Sequence, residues 1–260
     1  MDIAQIKDQA LVFERSLIER KHKLKEPEFW YRYGTLQNFW NLDALLTGGN
    51  RFLLDLIGDD PTVDIGCGDG DLAFFLETLG CKVQVIDYAP TNQNQMQGVK
   101  LLKEVLSSSV QIHEVDLDSQ FCLPEKEYSL AFFLGILYHL KNPFYALEAL
   151  SKSARYCLIS TRIARFNKRA ADENNSTKLN PGDRVEIRDI PIAYLLDELE
   201  ANNDSTNYWI FSDAGFRRVM ARTGWQIVDY ITLGNTIDSD PATADGDERA
   251  FCLAKSRHFG

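Results

Sequence analysis

The sequence predicts a doubly wound α/β fold, a parallel sheet covered by helices on both faces. Three observations predict it. Beyond residue 60, short and nearly continuous apolar runs alternate with helix-length stretches, the pattern of strands buried on both sides. The first run passes straight into a turn carrying Gly66, Gly68 and Gly70 and then into a helical segment. Acidic residues close the second and third runs, at the carboxyl ends of strands where open α/β sheets hold their ligands.

Taken in order, Ile3, Ile6, Leu11, Phe13, Leu17 and Ile18 recur at three- and four-residue spacings and predict an amphipathic helix over 3–20. The basic cluster RKHKLK at 20–25 follows. It reads either as a phosphate or RNA contact, or as solvated cations complementing a helix C-terminus. Residues 28–40 gather Phe29, Trp30, Tyr31, Tyr33, Phe39 and Trp40, which serve as core or as an aromatic lid over a pocket. The segment 1–58 is accordingly set apart as an N-terminal helical and aromatic lid, ahead of a main domain over 59–260.

Within that domain, strands are expected at 61–65, 82–87, 110–115, 129–134, 155–160, 225–232 and 250–255, and helices near 70–79, 97–107, 142–153 and 212–223. The 163–209 stretch is too long for an ordinary connection and predicts a cap, with PGD at 181–183 and a helix-like run from Ile192 to Leu199. The last two strands are joined by a polar loop carrying Asp238, Asp240, Asp245, Asp247 and Glu248.

Composition narrows the function. Lys plus Arg number 28 against 38 Asp plus Glu, leaving a formal charge of −10, a field that repels polyanions and argues against a generic nucleic-acid coat. Five cysteines, with no CxxC pair, suggest reduced thiols in a cytoplasmic protein rather than a disulfide framework or a zinc knuckle. MDIAQIKDQA lacks the apolar region of a secretory signal. The longest apolar run, Leu130 to Tyr138, is far short of the roughly 20 residues that span a bilayer. A soluble chain, monomeric or homodimeric, is expected, with no catalytic metal.

Alternate glycines let a backbone turn tightly and approach a ligand closely. The dinucleotide fingerprint GxGxxG requires a third glycine or an alanine where this chain has Asp71. Asp69 and Asp71 at the helix start also oppose a pyrophosphate. A ligand without phosphates, preferably cationic, fits better. Asp87 ends the second strand, where a carboxylate can take both ribose hydroxyls, or can simply open the turn before Ala89-Pro90. Asp116 and Leu117 end the third strand, placed for an adenine amino group and ring, with Asp118 as the rival acid.

Asp64-Ile65-Gly66-Cys67-Gly68-Asp69-Gly70, Asp87 and Asp116-Leu117 resemble the motifs of the class I S-adenosylmethionine-dependent methyltransferases. The resemblance implies a Rossmann-like sheet of seven strands with the last antiparallel. It implies S-adenosyl-L-methionine as cofactor and S-adenosyl-L-homocysteine as product. Asp64, Gly66, Cys67, Gly68, Asp87, Tyr88, Asp116, Leu117 and Leu134 would then form the cofactor site. Ser129 stands where many members carry an acid. More narrowly, LGILYHLKNPF at 134–144, PGDRVEIRDI at 181–190 and NYWIFSDAGFRRVMARTGW at 207–225 are similar to the transferases that modify the wobble uridine of tRNA. That likeness implies carboxy-S-adenosyl-L-methionine as an alternative cofactor, with Tyr138 against its extra carboxylate, and tRNA as an alternative acceptor.

Methyl transfer from a sulfonium needs alignment more than covalent help from the protein, and no Ser/His/Asp or Cys/His constellation stands out. Removing a proton from an O or N acceptor needs a base. His139, just past the fourth strand, is the candidate; its structural alternatives are capping the helix near Asn142 or satisfying a backbone group. Tyr138 would orient a small-molecule acceptor, and Tyr31, Tyr33 and Arg162 would line its entry. The acids of 233–248 favour a neutral or cationic acceptor, whereas Arg162, Arg165, Lys168 and Arg169 favour an anionic one. The sequence leaves that conflict open.

Overall fold

The computed structural model describes residues 1–168, 184–240 and 246–259. Helix α1 (Ile3–Leu24) opens with a capping box, the Asp2 carboxylate accepting from Ala4 N–H while the Gln5 side chain returns to the Asp2 backbone. Its buried stripe runs Ile3, Ile6, Ala10, Leu17 and Lys21. Two shorter helices follow, α2 (Asn38–Leu45) and α3 (Leu53–Ile57).

The expected alternation then appears: β1 (Thr62–Ile65), α4 (Asp71–Thr78), β2 (Val83–Asp87), α5 (Gln97–Leu106), β3 (Gln111–Glu114), β4 (Tyr128–Leu134), α6 (Pro143–Ser151) and β5 (Ala154–Ala164). A small hairpin, β6 (Phe166–Lys168) with β7 (Arg184–Glu186), comes next, followed by β8 (Ala193–Leu195), β9 (Trp209–Ser212), α7 (Asp213–Arg222), β10 (Trp225–Gly234) and β11 (Glu248–Ser256).

Along the main path the strand order is β10-β11-β5-β4-β1-β2-β3. Only β11 runs against its neighbours, antiparallel to both β5 and β10. The order reverses between β1 and β4, so the crevice at their carboxyl ends is the topological switch point. Two cores flank the sheet, as the period of two along each strand requires. Val85, Phe132, Leu158 and Leu253 pack with α1 to α5, whereas Val63, Phe133, Ile159 and Cys252 pack with α6 and α7.

The cap differs from expectation. Strand β5 continues to Ala164, so the insertion starts two residues later, and the stretch read as helical near Ile192 contains the strand β8. Tertiary pairing overrides local propensity here. Beyond Ser160, whose partner is Leu134 at the end of β4, one edge of β5 is open, and β9 takes it through Ile163 with Phe211 and Ala164 with Ser212. β8 adds outside β9, giving a sheet of nine strands. This arm forms a wall above the end of β4. The PGD motif, Arg169 and Asp245 lie outside the described residues.

Candidate functional site

The loop after β1 is built by its glycines. Gly66 and Gly68 take φ of +72° and +58°, the left-handed region that a side chain resists by about 1–2 kcal/mol. Space closes the argument: a Cβ on Gly66 would lie 2.2 Å from Ile136 Cδ1, and one on Gly68 would lie 2.9 Å from the Tyr31 ring. The loop is therefore a cradle, with Tyr31 over one side and Ile136 over the other.

Asp87 reaches this cradle from β2. Its Oδ2 accepts from Gly68 N–H at 2.9 Å and from Asn92 Nδ2 at 2.9 Å, while among the described residues Oδ1 accepts only Tyr88 N–H at 2.8 Å. A carboxylate oxygen has two lone pairs, so Oδ1 keeps an acceptor position for a ligand hydroxyl. Burial pushes the pKa of Asp87 up, against the pull of these hydrogen bonds. Cys67 is buried beside it, its thiol held well above the usual range by burial, which makes it packing rather than a nucleophile.

Asp64 is the unusual member. It is 7% exposed, receives no hydrogen bond from the described residues, and its pKa rises to about 7, first through burial and then through Asp87 and Asp71. A buried carboxylate without a partner is costly. Its environment calls for a cation.

Asp69 and Asp71, at the start of α4, are held by Lys21, which approaches to 3.0 Å and 2.8 Å. Asp69 also accepts from Tyr31 N–H at 2.8 Å and Asn94 Nδ2 at 2.7 Å. Lys21 is itself buried and lies over the Trp30 ring, whose Nε1 donates to the Lys21 carbonyl. Neither reading of the basic cluster holds for this lysine: it is an interior clamp joining α1, the aromatic segment and the glycine loop. The aromatics divide accordingly. Trp30 and Phe39 are core, Tyr31 covers the loop, and Tyr33 stacks edge-on against Tyr31 while remaining exposed.

At the far side of the crevice Leu117 is buried, and Asp116 folds back on its own turn, accepting from Asp118 N–H and Ser119 Oγ; the Ser119 bond leads in holding its carboxyl below the usual range. Asp118 is committed elsewhere, accepting from Asn142 N–H at the start of α6. After β4, Leu134 leads to Gly135 and a short 3₁₀ turn, Leu137–His139.

His139 meets the cap there. Its Nδ1 lies 3.1 Å from the Thr206 carbonyl and 3.0 Å from Thr206 Oγ1. Thr206 Oγ1 gives its one proton to Asp204 at 2.6 Å, so Nδ1 must be the donor and Nε2 carries the free lone pair. Burial holds the imidazole below its ordinary pKa. Neutral, oriented and with Nε2 basic, it has the form a general base needs. It does not cap α6.

Tyr138 is buried, and its hydroxyl accepts from Arg249 Nη1 at 3.2 Å. Arg162 and Arg249 stand directly opposite each other on β5 and β11, and both reach Asp247, at 2.7 Å and 3.4 Å. Arg165 is bound by Glu248 through both carboxylate oxygens. Two of the acids read as an acidic rim are therefore counter-ions of arginines. A separate groove of ≈ 640 Å³, lined by Phe144, Trp209, Arg218 and Arg222 among others, lies behind the sheet, away from the glycine loop.

Several residues escaped the sequence reading: Asn92, Asn94, Thr206, Asp204 and Arg249 are polar residues without a motif. Lys21 alone had a signal, since it continues the apolar stripe four residues after Leu17. Among the described residues, no cluster of His, Cys, Asp or Glu could hold a metal ion, and no helix is long and apolar enough to cross a membrane.

Comparison with known proteins agrees with this geometry. The family model for a methyltransferase domain matches residues 36–230. No protein of curated function matches the sequence. The N-terminal domain of EvdMO1, solved with S-adenosylhomocysteine bound, superposes with a TM-score of 0.55 at 12% identity, covering 99% of this chain and 98% of that one. The [4+2]-cyclase SpnF gives 0.54 at 13% identity over 87% and 85% of the two chains. The PH0226 protein of Pyrococcus horikoshii gives 0.53 at 10% identity over 89% and 96%. At such identities the likeness is one of fold, and a cyclase among these neighbours warns that fold alone does not fix the reaction. The family match is to the methyltransferase domain as a whole and does not reach the finer wobble-uridine group.

Proposed function

The chain belongs to the methyltransferase domain family, and on that premise we propose that it moves a methyl group from S-adenosylmethionine to an O or N atom of a small molecule. The single observation that carries the reading is the acidic make-up of the glycine cradle: Asp64 and Asp87 stand at the loop itself, and Asp69 and Asp71 behind it are bound by Lys21. A sulfonium nucleoside fits that field and a diphosphate does not. The chemistry of the donor set agrees, since Asp87 keeps an acceptor for ribose and Asp64 lacks a partner until a cation arrives.

In this reading Gly66 and Gly68 admit the amino-acid portion of the cofactor at close range, Asp87 holds the ribose, and Leu117 with Asp116 receives the adenine. The bound cofactor supplies an activated methyl electrophile. Tyr31 closes over the loop and excludes water. His139 takes the acceptor proton at Nε2, with Thr206 and Asp204 fixing its tautomer as a carboxylate fixes a catalytic imidazole. Alignment of the acceptor in line with the sulfur–methyl bond supplies most of the acceleration.

The test is acceptor-blind. Protein is incubated with S-adenosylmethionine bearing a deuterated methyl and an extract of small metabolites, and products are read by mass spectrometry. A labelled small molecule together with S-adenosylhomocysteine, diminished with Asp87→Ala at limiting cofactor, is the expected result. Label appearing only in macromolecules, or cofactor that never binds, overturns the reading.

A further inference from the structure

We propose that the groove between α6 and α7 is a second binding site, for a small anion with an aromatic body, separate from the glycine cradle and not resting on the methyl-transfer reading. The ribbon β8–β9 makes its floor. Ala193 pairs with Phe211 and Leu195 with Trp209, so these four side chains share one face. Phe211 fixes which face it is, because it packs in the core formed with α6 and α7. The opposite face is covered, with Ile210 buried and Tyr194 packed beside it in the arm's own small core. The floor is not covered. Leu195 stays 62% exposed, and on the α6 wall Phe144 and Tyr145 are 45% and 46% exposed. A contiguous apolar patch of this kind marks an interaction site.

The walls are set before any ligand arrives. Ser212 caps α7, its Oγ accepting from Gly215 N–H at 2.9 Å and donating to the Ile190 carbonyl. A Cβ on Gly215 would lie 2.1 Å from the Ile192 carbonyl oxygen, so the start of α7 and the entry to β8 touch. From Gly215, the residues Arg218, Val219 and Arg222 follow at spacings of three, four and seven on a single face of the helix. The space between the walls is ≈ 640 Å³, inside the range of roughly 300–1,000 Å³ that holds small ligands.

Charge decides the class. The chain carries a formal −10, yet the groove is lined by Lys141, Arg218 and Arg222 and by no carboxylate. Asp213, at the start of α7, is taken by Arg217 and Tyr230. Arg218 and Arg222 have no side-chain partner among the described residues. Unpaired guanidinium forks beside exposed rings complement an anion with a flat apolar body: the rings of Phe144 and Trp209 take the body, and the forks take carboxylate or phosphate oxygens. A polyanion would meet the negative field around the groove, which favours a ligand with a single head. None of the lining residues belongs to the glycine cradle, to the end of β2 or to the turn that carries His139.

Calorimetry on the full chain titrates 2-naphthoate and 2-naphthyl phosphate, with 2-naphthamide as the uncharged body and acetate as the head without a body, in the absence and presence of saturating S-adenosylhomocysteine. At least one of the two anions should bind saturably, equally well with and without the nucleoside, and about tenfold or more tightly than the amide or acetate. The arm that binds distinguishes carboxylate from phosphate. That affinity should fall about tenfold or more in Arg218→Gln/Arg222→Gln, and likewise in Phe144→Ser. All three positions are exposed, so the urea midpoint and S-adenosylhomocysteine affinity should not change. Binding of neither anion, amide binding as tight as that of naphthoate, or an affinity indifferent to these variants overturns the proposal. So does competition with S-adenosylhomocysteine, which would put the probe in the cofactor crevice, and so does methylation of the probe, which would make the groove part of the acceptor site. Tighter binding of an acidic peptide alternating Asp and Phe, or self-association that Phe144→Ser abolishes, would give the groove to a protein segment or a second copy and overturn it equally.

Discussion

Asp64 makes the affinity for a cationic cofactor depend on pH in a way the structure quantifies. Its carboxyl is buried, unpartnered and raised to about 7. Below that value the ligand-free site is largely protonated, and a sulfonium or ammonium that needs the carboxylate must expel the proton as it binds. The ionised fraction is about one in eleven at pH 6 and about one half at pH 7, so affinity for S-adenosylmethionine should rise about fivefold, near 1 kcal/mol, over that unit and by at most about twofold more above it. The window stays below the range in which the cofactor's own amino group titrates.

The sign for stability is opposite. Between the ordinary carboxylate value of 3.8 and about 7 the folded chain holds a proton that the unfolded chain has lost, so the ligand-free protein weakens as pH rises through that interval. Titration calorimetry at several pH values, in two buffers of different ionisation enthalpy, measures both the affinity and the proton released. Asp64→Asn should flatten both curves. Proton uptake on binding, or a pH slope unchanged in Asp64→Asn, would refute the reasoning.

Lys21→Met leaves Asp69 and Asp71 without their cation in a buried setting, and should cost about 3–5 kcal/mol of folding free energy, read as a lower urea midpoint. A loss under 1 kcal/mol would mean the clamp is dispensable. Asp87→Ala removes the acceptor for ribose and should weaken S-adenosylhomocysteine binding by about 1–3 kcal/mol in a calorimetric titration, where unchanged affinity would remove it from the site. His139→Ala should lower kcat roughly 10²-fold and remove the acid limb of the pH–rate profile. In the wild type that limb should lie below the usual histidine range, because burial favours the neutral ring; a limb unaltered by the substitution would reject His139 as the base.

The centre of the sheet was legible because β1, β2, β4, β5 and β11 are largely buried on both faces and so announce themselves as apolar runs. The turn Gly66 to Gly70 was legible because φ > 0 and close approach leave little choice but glycine. The arm β8–β9 was not, since its pairing depends on where β4 stops, a tertiary fact with no local trace. The same holds for Thr206 and Asp204, whose link to His139 joins residues 67 apart, and for Arg249, which acquires meaning only opposite Arg162. Lys21 was misread because charge runs at helix ends usually face water, although its place on the stripe of Ile3, Ile6, Ala10 and Leu17 said otherwise.

The most direct measurement pits S-adenosylmethionine against NAD for the cradle formed by Gly66 and Gly68, with binding followed calorimetrically on the intact chain. The sulfonium nucleoside should bind saturably, and excess NAD should neither bind nor displace it. Saturable binding of NAD that competes with S-adenosylmethionine would contradict the account at its root, because a loop bearing Asp64 and Asp87, with Asp69 and Asp71 behind it, would then have accepted a diphosphate.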